Sequence, residues 1–143
     1  MEHKLIYALY SAENTGKTTT LRLLAKKLAE ISNFSRSIPE SGDFTSIFNV
    51  KGMKVAITSA GDDEDGIRSS LEELSEDSDF DILFCASRTK GQTVNYLIER
   101  FKDHELRWVD NMYVHCENEN QAQLCNEIVA DFLFRSLLLE LRT

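Results

Sequence analysis

The sequence predicts an α/β fold: a mostly parallel five-stranded sheet, helices on both faces, and one antiparallel strand at the edge. Short apolar runs alternate along the chain with longer segments whose apolar residues recur at helical spacing, the order of strands joined through crossover helices. Several of those runs are apolar almost throughout, as strands covered on both faces are. Two others are separated only by Lys51-Gly52, the length and composition of a hairpin turn.

In chain order, Leu5 to Tyr10 (LIYALY) is a short apolar run bounded by a turn-rich loop, and reads as a buried parallel strand. From Lys17 to Ile31 the period changes. Leu21, Leu24, Ala25 and Leu28 share one helical face, with Arg22, Lys26, Lys27 and Glu30 elsewhere. Residues 32 to 43 (SNFSRSIPESGD) contain the sole proline, Pro39, and many serines, and read as a loop. Thr45 to Val50 and Met53 to Ser59 form the hairpin. A helix over 64 to 76 carries Ile67, Leu71 and Leu74 on one face. Phe80 to Ala86 (FDILFCA) is another buried strand, SRTKGQT a loop, and the helix after it carries Val94, Leu97, Ile98 and Phe101. Arg107 to His115 is expected as the last strand and 120 to 141 as a long closing helix. The 143 residues fit one domain, 1–143, large enough for a real core.

Composition narrows the function. A hydrophobic share of 42% with 28% charged residues belongs to a globular chain, not a disordered one. The net charge of −8 argues against general binding to nucleic acid or an anionic membrane surface, but a local site can still be positive. Cys85, Cys116 and Cys125 are odd in number and lack C-x-x-C spacing, which argues against a disulfide framework or structural zinc. The N-terminal apolar stretch is too short for a signal peptide, and no run has the length of an uncharged membrane span, so a cytoplasmic location is expected.

The segment that carries chemistry is SAENTGKT, Ser11 to Thr18, set between the first strand and the first helix. It matches the phosphate-binding pattern G-x-x-x-x-G-K-[ST] except that Ser11 replaces the first glycine. Such a loop points successive backbone N–H groups at phosphate oxygens, and the following helix adds its positive end. Its lysine brings a mobile charge to the outer phosphates, and the next hydroxyl ligates Mg²⁺. Gly16, Lys17 and Thr18 keep those parts. A small serine at the loop's entrance is compatible with the turn as long as its φ stays negative.

On these residues the chain resembles the P-loop NTPase superfamily over most of its length, which implies a three-layer P-loop NTPase-like fold. Ser11, Ala12, Glu13, Asn14, Thr15, Gly16, Lys17, Thr18 and Thr19 would then surround the nucleotide. The hairpin before SAGD is similar to that of the small GTPases, where it leads into D-x-x-G. Thr58-Ser59-Ala60-Gly61 occupies that place, so Gly61 matches as the γ-phosphate contact while threonine replaces the aspartate. Asp62 and Asp63 follow the glycine instead, and Asp62 is the expected aid to Mg²⁺, beside Thr18. The guanine-reading N-K-x-D of that family has no counterpart in Ala86-Ser87-Arg88-Thr89, which turns the expectation to ATP.

Other segments bear on the same site. SRTKGQT, 87 to 93, lies at the carboxyl edge of the sheet, where doubly wound folds bind ligands. Arg88 there is the expected catalytic cation, stabilising charge in phosphoryl transfer; a polar loop with Thr89 or Thr93 as helix cap is the plainer reading. Arg36 and Arg68 are further candidates for a second phosphate, Ser37 and Thr45 for a residue sensing the γ-phosphate, and Glu13 for positioning water. Asp65 reads as a helix-start charge. His3, His104 and His115 form no constellation, and Cys85 reads as core. The closing helix is apolar on more than one face, from Ile128 to Leu141, which points either to burial against the domain and a second copy, as a homodimer, or to a central core helix. The expected activity is Mg-dependent ATP hydrolysis by one P-loop domain. A small-molecule or nucleotide kinase and a non-catalytic nucleotide-gated interaction module stand as alternatives.

Overall fold

The computed structural model describes residues 4–11, 16–32, 38–39, 41–60, 64–77 (side chains of 75–77 excepted), 80–88, 91–112 and 119–141. Nine elements follow one another: β1 (Leu5–Tyr10), α1 (Lys17–Ile31), β2 (Thr45–Val50), β3 (Met53–Thr58), α2 (Glu64–Asp77), β4 (Ile82–Ser87), α3 (Gln92–Arg100), β5 (Glu105–Asp110) and α4 (Glu119–Glu140). They build a five-stranded mixed sheet in the order β2-β3-β4-β1-β5. β2 is antiparallel to β3 and lies at the edge, as the hairpin requires, while the other pairings are parallel. At the turn, Lys51 and Gly52 both have positive φ (52° and 82°), the left-handed pair that matches a hairpin's twist.

The period of two sorts the strand side chains into two apolar clusters. Leu5, Tyr7 and Leu9 of β1 meet Leu21, Leu24 and Leu28 of α1 and Val129, Leu133 and Leu137 of α4. Ile6 and Ala8 join the opposite cluster, with Ile67, Leu71 and Leu74 of α2 and Leu97 of α3. Thus α1 and α4 cover one set of strand side chains, and α2 and α3 the other. The far end of α4 is pinned by Arg107 of β5, which donates to Tyr7 Oη (2.8 Å) and Glu140 Oε1 (2.9 Å). None of the described helices is long and apolar enough to cross a membrane.

The last strand departs from the expected Arg107 to His115: it runs from Glu105 to Asp110. Its partner sets its bounds. Glu105 N–H already donates to Lys4 O (3.1 Å), and the six residues of β5 pair one for one with those of β1. Asn111 and Met112 follow outside the strand, and His115 lies outside the described residues. α3 is preceded by Gly91 (φ 105°) as its N-cap, without a side-chain cap, so Thr93 is a buried residue of the first turn rather than the cap.

Candidate functional site

The strands' arrangement places a crevice between β1 and β4. The chain leaves β1 into α1 on one face and leaves β4 for α3 on the other, so the two connections diverge above neighbouring strand ends. In open α/β sheets this is where ligands enter. Tyr10 and Ser87 are the paired last residues of the two strands, and Ser11 N–H donates to Ser87 O (3.3 Å).

Lys17 spans that crevice. Its ammonium donates to Ser11 O (2.8 Å) and Ser87 O (3.0 Å), and the residue is only 5% exposed. Carbonyl dipoles offset the desolvation of a charge held this deep. Before it, Gly16 is the N-cap of α1 in the left-handed region (φ 86°, ψ 11°), with no side-chain cap. A Cβ on Gly16 would stand 2.5 Å from Asn126 Oδ1, so both its backbone angle and its neighbour demand glycine. No acidic residue lies in the first turn of α1. Its N-terminal N–H groups and positive dipole end are therefore not offset by a carboxylate within that turn.

Thr18 is held by a carboxylate that spacing gave no reason to choose. Its Oγ1 donates to Asp43 Oδ1 at 3.2 Å, across 25 positions of sequence, and Ser59 Oγ donates to the same oxygen at 3.1 Å. A threonine that gives its one proton to Asp43 keeps its lone pairs for a cation. Arg22, one turn further along α1, holds the segment that carries Asp43. It donates from Nε to Pro39 O (2.9 Å) and from Nη2 to Gly42 O (2.7 Å), with its guanidinium 5.7 Å from the Phe44 ring centre. Ser59 completes the tie by accepting from Phe44 N–H (2.8 Å).

Behind the loop lies a buried polar cluster. Thr20 Oγ1 stands 3.2 Å from both Asn111 Oδ1 and Asn126 Oδ1. One hydroxyl proton serves one acceptor, so the other asparagine satisfies the group best with its amide turned to donate. The cluster joins the start of α1 to the residue after β5 and to α4. It is also why Asn126 sits against Gly16.

Of the other sequence-predicted residues, Ser11 lies at the crevice mouth, Thr19 is exposed on the first turn of α1, and Arg88 directly follows the carbonyl that receives Lys17. Arg68 of α2 is engaged elsewhere, with Glu64 (3.0 Å) and over the Tyr96 ring of α3 (5.1 Å). Thr45 pairs with the Thr58 hydroxyl across the hairpin (3.2 Å). The end of β3 is separated from β1 by β4, about 10 Å away at normal strand spacing, and reaches the loop through the Ser59–Asp43 contact. Ala12, Glu13, Asn14, Thr15, Arg36, Ser37, Gly61, Asp62 and Asp63 lie outside the described residues. Asp43 and Arg22 carried no motif signal, and Ser59 stood at an unspecified position of the D-x-x-G match; the nearness of Asp43 to the hairpin strand was the sole hint.

Comparison with protein-family models, curated proteins and solved structures found no match to this chain.

Proposed function

We propose that the crevice between β1 and β4 binds a nucleoside triphosphate, ATP in preference to GTP, together with Mg²⁺, and supports its hydrolysis in a P-loop manner. The observation that carries this reading is the Thr18–Asp43 contact at 3.2 Å beside a buried Lys17 at a helix start without a side-chain cap. Two hard oxygen donors next to a bound triphosphate are what Mg²⁺ takes. The Thr18 and Asp43 oxygens, already 3.2 Å apart, would together hold the ion.

The chain's residues then have distinct tasks. The first N–H groups of α1 donate to phosphate oxygens, and Lys17 exchanges its carbonyl partners for the outer phosphates. Thr18 and Asp43 would hold the cation. Bound there, Mg²⁺ would withdraw charge from the phosphate oxygens. Arg88, the residue after Ser87 at the end of β4, would meet charge developing during transfer. The preference for adenine rests on the end of β4, where Ala86-Ser87-Arg88 offers no carboxylate to read guanine.

A second reading has its own observation. Arg22 and Asp43 tie the 38–44 segment to α1 beside the site, so nucleotide occupancy could reposition that segment as a signal without turnover. Phosphate release from Mg-ATP separates the two. Hydrolysis gives free phosphate that disappears in Lys17→Ala and is reduced in Arg88→Ala. Binding without release supports the gated module, and transfer to an added acceptor in place of release would make the protein a kinase.

A further inference from the structure

We propose that the outer face of α4 is a self-association surface on which two copies pack this helix antiparallel, in a register set by Asp131 and Arg135. The face opposite the core carries Leu124, Ile128, Phe132 and Leu139, each between 49% and 62% exposed, at spacings that keep them on one side of the helix. Scattered exposed leucines need no explanation, but a stripe of four along a 22-residue helix does. Hollows lie on both sides of Leu139. One of about 530 Å³ is lined by Asp131, Phe134, Arg135 and Leu138. Another, of about 290 Å³, is lined by Phe132, Trp108 and Arg107.

The second copy is the occupant because the stripe is complementary to itself. Asp131 and Arg135 lie within it, four residues apart, paired at 2.8 Å and both solvent-accessible (43% and 76%). In a two-fold contact, residue i meets j and j meets i. Antiparallel packing of α4 on α4 therefore sets Asp131 against Arg135 of the second copy, and Arg135 against its Asp131. The same register brings Ile128 to Leu138 and Leu139 of the second copy, which flank the first hollow. A parallel packing sets like charge against like along the seam, and polar groups within an apolar seam select one register over others. The surface lies opposite the core face of α4, so it leaves the crevice open.

The test uses the full chain in sedimentation velocity over a micromolar concentration range. The natural chain is expected to associate to a dimer. Asp131→Arg and Arg135→Asp, each alone, are expected to weaken association at least about tenfold through like-charge contacts. Mixing the two variants restores it, because each charged face then meets its opposite while the changes within each helix remain. Phe132→Glu should also give a monomer, with helicity by circular dichroism unchanged. A natural chain that stays monomeric, single variants that associate like the natural chain, or a mixture that remains monomeric would each overturn the proposal.

Discussion

At the scale of single residues, the site depends on atoms that leave no room for alternatives. Gly16 combines a left-handed backbone with a neighbour 2.5 Å from where a Cβ would stand. Gly16→Ala should therefore destabilise the fold by at least about 1 kcal/mol from backbone alone, with the Asn126 contact adding to it. Urea unfolding of a double-mutant cycle with Asn126→Ala resolves the two parts. The penalty for alanine at Gly16 should be smaller in the Asn126→Ala background, and additivity would show that Asn126 exerts no pressure there. Arg22 makes a different contribution. It touches neither Lys17 nor Thr18 through any described bond, but it binds the carbonyls on either side of Ser41 and so fixes where Asp43 falls. Arg22→Ala is expected to leave nucleotide affinity in EDTA unchanged while reducing the gain from added Mg²⁺ several-fold. Titration of nucleotide with and without Mg²⁺ checks this; an equal loss in both conditions would assign Arg22 to the phosphates instead.

Among the elements, β4 is the wall on which the crevice is built, and its six residues are all buried. Burial pushes the Cys85 thiol up to about 12, against 9.0 for an ordinary thiol. A folded value raised above the unfolded one means that the folded chain holds its proton longer. The associated stability is complete below pH 9, where the unfolded thiol is also protonated, and is lost as pH rises from about 9 to about 12. Tyr7, stacked on Phe84 of the same strand pair, is also raised, by burial foremost, and acts in the same direction at alkaline pH. Denaturation midpoints should therefore fall above pH 9. Replacing Cys85 by alanine should flatten the first part of that fall, despite its own packing cost. Cys85 should likewise resist iodoacetamide at pH 8 until the chain unfolds; prompt labelling at Cys85 of the native protein, located by peptide mass spectrometry, would contradict its placement in the core. α4 divides between two environments. Leu133 and Leu137 fill the cluster on α1 and the sheet, whereas Phe132 and Leu139 face outward.

For the molecule as a whole, the sequence revealed what is local and concealed what is tertiary. LIYALY and the leucine pattern of α1 are local signals, so a strand and a helix could be read directly and in their observed bounds. The hairpin was equally clear, because Lys51-Gly52 encodes its own turn. The strand order was not. Nothing in a run of apolar residues says that β4, and not β3, will lie beside β1. The same gap hid Asp43, which comes to Thr18 from 25 positions away, and Asn126, which comes to Thr20 from 106. The last strand was misplaced because its start is set by Lys4 and the ladder of β1 rather than by its own composition. Lys17, Thr18 and Asp43 gather at the crevice at the ends of β1 and β4, and its proposed function as a triphosphate site is tested most directly by calorimetric titration of Mg-ATP into the natural chain and into Lys17→Ala, with thermal melting to show that the variant folds. Saturable binding by the natural chain, weakened at least about a hundredfold in the folded variant, is the expected result. Equal affinity in the two proteins, or no heat of binding in the natural chain, would contradict it.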